Sequence, residues 1–174
     1  IIRFLTTDML GYKDTTYVEN LSILIEYPTA SIIYPDNNKL SWLDKKIDVQ
    51  FSVPMDSSSL TSENIILSAI NSTFSETLVY SNNILTLSLS NNLSAMDTLQ
   101  LTLKSDLKSS YGYALDGNED GVQGDSKIFT FTTSMLGDYD KNDLLDLSDA
   151  TKLIDRFIAK DYKYELAPFS GIPP

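Results

Sequence analysis

The chain has 174 residues, enough for one ordinary domain or two small ones, and 42% of them are hydrophobic, so a core can form. Its formal net charge is −11, from 13 Lys and Arg against 24 Asp and Glu; with no clustered basic residues this argues against a nucleic-acid partner and fits a self-repelling surface that attracts cations. Cysteine and histidine are absent, which removes disulfides, thiolate chemistry, Cys/His zinc sites and histidine bases, and no run of 18 apolar residues marks a membrane span.

Residues 1–29 hold two apolar runs, "IIRFL" and "NLSILIEYP", around the turn-like "TDMLGYKD". These are either further strands of the following unit or, the reading preferred here, the last hairpin of a preceding domain, with residues 28–30 as a linker. The sequence starts in mid-pattern and reads as a piece of something longer.

From residue 30 to 134 the pattern is strand and turn. Ile47, Val49, Phe51 and Val53 alternate with polar residues, as do Leu85, Leu87 and Leu89, then Leu99, Leu101 and Leu103, then Phe129 and Phe131. Period-two alternation puts one face of each strand in a core and the other in water. Turn-rich segments such as "PDNN", "MDSSS", "YSNN" and "LSNNLSAMD" separate the runs, which predicts an all-β sandwich. Trp42, Tyr111 and Tyr113 are the best candidates for a sugar-stacking platform, against the plainer reading of partly buried aromatics on a sandwich.

The turn "LDGNEDGVQGD" sets Asp116, Asn118 and Asp120 at alternate positions, with Gly121 sixth, the Val122 carbonyl seventh and Asp125 shortly after. Alternate oxygen donors in a tight loop suit a hard cation. The twelfth position is Lys127 and a strand follows, so any ion here would sit in a β-loop; the alternative is a Gly/Asp-rich turn.

A second, more regular acidic loop covers residues 138–149 and carries five aspartates in twelve residues. Asp138, Asp140 and Asn142 take positions 1, 3 and 5. Leu144 offers its carbonyl at position 7, Asp146 stands at 9 and Asp149 at 12. This is the oxygen spacing of an EF-hand-type calcium loop, in which the ion makes the crowded charge tolerable. Asp143 replaces the usual glycine at position 6, where a left-handed backbone costs about 1 kcal/mol. Leu145 at position 8 is expected to pin the loop to the core. Ala150, Leu153, Ile154, Phe157 and Ile158 then form one helical stripe, with Ser148 or Asp149 as cap. Beyond it, "DYKYELAPFSGIPP" reads as an extended tail. The acidic groups cluster in turns and imply no cleft, so no catalytic role is expected.

Two resemblances follow. "GDYDKNDLLDLSDATKLIDRF" resembles one half of a dockerin, a calcium-loop-plus-helix module. The resemblance implies Ca2+ ligands at Asp138, Asp140, Asn142, Leu144 through its carbonyl, and Asp149. It makes a cohesin-like protein a candidate partner, though the second half is missing, which suggests that the helix packs on the β unit instead. "FSVPMD", "YGYALD" and "FTFTT" within residues 30–134 are similar to the bacterial Ig-like domain of S-layer and other surface proteins. That implies an Ig-like sandwich without catalytic function.

The expected whole is a hairpin and linker (1–29), an Ig-like β-sandwich (30–134) and a dockerin-like calcium loop, helix and tail (135–174). Its expected work is non-catalytic: a calcium-stabilised spacer or assembly segment of an extracellular or cell-surface bacterial protein, in contact with neighbouring domains of its parent chain. The alternatives are docking to a cohesin-like protein, or binding a surface glycan as a carbohydrate-binding accessory module.

Overall fold

The computed structural model describes residues 2–7, 9–18, 25–41 and 44–158. Ten strands and one α-helix lie among them, with two short 3-10 turns at Asp36–Asn38 and Ser57–Ser59: β1 Ile2–Thr7, β2 Lys13–Val18, β3 Ala30–Tyr34, β4 Lys39–Leu40, β5 Lys46–Phe51, β6 Ile65–Ala69, β7 Glu76–Ser81, β8 Ile84–Leu89, β9 Thr98–Leu103, β10 Lys127–Thr133 and α1 Leu147–Ile158.

β1 and β2 form an antiparallel hairpin with Ile2 opposite Val18 and Thr7 opposite Lys13. The second strand begins within the turn-like segment, ahead of the second apolar run, of which residues 20–24 lie outside the described residues. It is built from Thr15, Thr16, Tyr17 and Val18, good strand formers, while residues 25–29 are irregular. Gly11 makes the turn with φ 83°.

The remaining strands make two four-stranded sheets, ordered β4-β10-β9-β6 and β3-β5-β8-β7. Every pairing is antiparallel except that of β4 with β10, where Lys39 and Leu40 lie beside Thr132 and Thr133. The inward side chains of both sheets fill one core. Val49, Phe51, Leu85 and Leu87 come from one sheet, and Ile65, Leu99, Leu101 and Phe131 from the other. On β9, Leu99, Leu101 and Leu103 are buried while Gln100 faces water, which is the alternation that the sequence shows.

Residues 28–30 are engaged with this unit. The Asp116 N–H donates to the Pro28 carbonyl, the Ser52 N–H donates to the Thr29 carbonyl, and Ala30 opens β3 opposite Phe51. The "FSVPMD" segment leaves β5 and buries Met55, whose N–H donates to the Tyr80 hydroxyl at 2.8 Å. Asp56 then accepts the Ser58 N–H and closes the next turn.

The helix begins at Leu147, and its apolar stripe is not packed on the sandwich. Leu153, Ile154, Phe157 and Ile158 are 37%, 57%, 64% and 72% exposed. Leu145 is also exposed, at 63%, so it does not pin the loop. What holds the loop is polar, as described next. No described helix is long and apolar enough to cross a membrane.

Candidate metal centre

The loop 137–149 leaves the end of β10 through a short polar anchor. The Ser134 N–H donates to the Leu40 carbonyl on β4, and the Ser134 hydroxyl donates to the Asp138 carbonyl at 3.0 Å. The anchor buries Asp138 completely. Its carboxylate accepts the Asn142 and Asp143 N–H groups, both at 3.1 Å, which curls the chain around it. Asp140 Oδ1 accepts the Asn142 N–H, and Asn142 Oδ1 accepts the Leu144 N–H at 2.8 Å. Lys141 and Asp143 take φ of 65° and 68°, so position 6 is left-handed, as expected for a glycine position occupied by Asp.

Asp149 closes the loop from its far end. Its Oδ1 accepts the Tyr139 and Asp140 N–H groups, and its Oδ2 accepts the Asp146 N–H at 2.9 Å. The Asp146 N–H lowers the Asp149 pKa most strongly; burial opposes this, and the Asp140 and Tyr139 N–H groups add to the lowering. Asp146 Oδ1 in turn accepts the Ser148 N–H at 2.7 Å. Asp146 is therefore the helix cap, and Asp149 answers it three residues on, a capping box with Asp in both places. Neither Ser148 nor Asp149 holds the cap position: the helix starts at Leu147, three residues before its apolar stripe opens at Ala150.

The loop brings Asp138, Asp140 and Asp149 together, with one carboxylate oxygen of each within 4.8 Å of the others. Two donors on opposite sides of a calcium ion, each at about 2.3–2.6 Å, stand about 4.6–5.2 Å apart, so the spacing fits one ion. The donors are all hard oxygens, and each retains a lone pair beyond its N–H bonds. Asn142 lies beside this group, its Nδ2 donating to Asp140 Oδ2 at 3.1 Å. Asp146 is turned to Ser148, and Leu144 is held by the Asn142 side chain.

The turn at 116–125 repeats the first half of this construction. Asp116 is 3% exposed and accepts the Glu119, Asp120 and Gly121 N–H groups. Asn118 Oδ1 accepts the Asp120 N–H, and Asp120 Oδ1 accepts the Val122 N–H at 2.8 Å. Glu119 and Gly121 have φ of 64° and 85°, matching positions 4 and 6 of the other loop. Asp116, Asp120 and Asp125 each place an oxygen within 4.8 Å of the others. A side chain at Gly117 would put Cβ 2.5 Å from the Ser126 backbone, so only glycine lets the turn close.

Residues that the sequence did not single out tie the C-terminal loop to the sandwich. Lys141 donates to Asp44 Oδ2 at 2.7 Å and lies 5.5 Å from the Tyr34 ring centre. In the opposite sense Lys39 on β4 pairs with Asp143. No local motif could have signalled these pairs, since Asp44 and Lys141 are 97 residues apart. Of the aromatic candidates, Tyr113 packs edge-on against Tyr27 with ring centres 5.5 Å apart, Tyr111 is exposed, and Trp42 lies outside the described residues.

Comparison with known proteins places the sandwich, though not the loop 137–149, in a family. No curated protein matches the chain significantly. Domains 1–6 of the surface layer protein SbsC align at 15% identity with a TM-score of 0.44, covering 63% of this chain and 14% of that one. The N-terminal part of SbsC aligns at 16% identity with a TM-score of 0.42, covering 63% of this chain and 24% of that one. The bacterial Ig-like domain model matches residues 25–133, which span β3 to β10 and hence both sheets. The chain belongs to the bacterial Ig-like domain family.

Proposed function

We infer that the chain is a non-catalytic structural segment of a secreted or cell-surface bacterial protein, stabilised by calcium in its C-terminal, dockerin-like loop. The observation that carries the calcium reading is the convergence of Asp138, Asp140 and Asp149 within 4.8 Å around a fully buried first aspartate. Membership of the bacterial Ig-like family supports the structural role. Asp138, Asp140, Asn142, the Leu144 carbonyl and Asp149 would hold the ion, with Asp146 reaching it through water. Asp116, Asn118, Asp120, the Val122 carbonyl and Asp125 would hold a second, weaker one. A bound dication neutralises the carboxylates that otherwise repel one another, and so fixes the start of α1 where the chain leaves the sandwich.

The test is thermal unfolding with calcium and with EGTA. A ligand at a hundredfold above its Kd adds about 2.7 kcal/mol, which for a chain of this size raises Tm by about 5–10 °C. Asp138→Ala is expected to abolish most of that rise. Superimposed melting curves with and without chelator refute the calcium reading.

A further inference from the structure

We propose that Lys39 is a resident counter-charge for the loop 137–149 and competes with the divalent ion there, a proposal that rests on the calcium reading above. Lys39 reaches the loop from β4, on the far side of the chain in sequence. Its ammonium nitrogen stands 4.0 Å from Asp138 Oδ2 and touches Asp143 Oδ1. The Lys39 side chain is 15% exposed and that of Asp138 is 0% exposed. The nitrogen itself is buried and makes no directed hydrogen bond, so charge holds it in place rather than bond geometry. Lys141 is aimed elsewhere, at Asp44.

Asp138, Asp140, Asp143, Asp146 and Asp149 place five carboxylates in one short loop. Without an ion, the Lys39 ammonium offsets part of their mutual repulsion. With an ion, the same ammonium would stand across the Asp138 carboxylate from a dication, and because the ammonium and that carboxylate are buried, the repulsion is weakly screened. Lys39 therefore steadies the ion-free loop and weakens ion affinity. The other acidic turn is built differently: its Lys127 pairs with Glu119, and among the described residues no lysine lies within 4.0 Å of the buried Asp116 carboxylate.

The experiment is calcium titration by calorimetry on the full chain at about 0.15 M salt, comparing wild type with Lys39→Met and Lys39→Gln. Both variants keep a stem that fills the site and remove the charge. Asp138→Ala identifies which heat belongs to this loop. Calcium Kd is expected to fall roughly tenfold in both variants, and their chelated forms to melt below chelated wild type. An unchanged or weaker calcium affinity in the two variants overturns the proposal. Absence of any calcium heat in the wild type instead overturns the calcium reading itself.

Discussion

Asp97 is a carboxylate buried to 1% exposure with no cation beside it among the described residues. It accepts the N–H groups of Asn71, Ser72 and Thr98 at 3.0, 2.7 and 2.8 Å, the Ser72 hydroxyl and the Asn71 amide. Its own N–H donates to the Thr133 hydroxyl, so one residue staples the 71–72 turn to the start of β9 and the end of β10. Burial raises its pKa, but the Ser72 hydroxyl and the Asn71, Thr98 and Ser72 N–H groups outweigh that and hold it below the ordinary carboxylate value. Asp97→Ala strands several buried donors and should cost about 2–4 kcal/mol in urea unfolding. A depressed carboxylate pKa contributes stability that is fully present above the unfolded value near 3.9 and is lost as pH falls through the folded one. Unfolding free energy measured from about pH 5 downward should therefore decline less steeply in Asp97→Asn than in wild type. Nothing in the string "SAMDT" hints at this role, because apart from Thr98 its partners, Asn71, Ser72 and Thr133, are 25 or more residues away in sequence.

At the scale of elements, alternation found the inner strands and missed the outer ones. β5, β8, β9 and β10 are central in their sheets, and alternation holds through most of each, broken only by the buried Asp48 on β5 and by the exposed Ile128 and buried Thr133 near the two ends of β10. β3, β4, β6 and β7 are edges. There the pattern blurs: Ile33, Ile66 and Val79 are 45%, 40% and 59% exposed next to inward-facing apolar residues. β3 also carries a register shift between Ile32 and Tyr34, and β4 has two residues. The energetic contrast should follow burial. Leu101→Ala, at 0% exposure, is expected to lose about 2–5 kcal/mol, while Val79→Thr should stay within about 0.5 kcal/mol of wild type, both read from chemical denaturation. That the C-terminal loop gathers its aspartates was legible because their alternate spacing is written in consecutive residues. The helix position was legible for the same reason, but its packing was not: the contacts that seat this region belong to Lys39, Asp44 and Lys141, and they leave the apolar stripe outward.

Across the whole molecule, the two acidic loops sit at opposite ends of β10. One ends just before Lys127 and the other begins after Thr133. Seven residues of strand separate them by about 20–23 Å, well beyond a Debye length of about 8 Å at physiological salt. Ions at the two loops should therefore bind independently. In a double-mutant cycle with Asp116→Ala and Asp138→Ala, the losses of calcium-dependent stabilisation should add to within about 0.5 kcal/mol. A larger coupling would mean that β10 transmits strain from one loop to the other.

The reciprocal pairing of Lys141 with Asp44 and of Lys39 with Asp143 also decides how the chain carries traction. A tug applied through α1 meets these two electrostatic fasteners, set in parallel with the loop backbone, before it can peel β10 from β4. The joint is expected to yield first and to re-engage when the load drops, which a force–extension trace would record as a small reversible step before the sandwich opens.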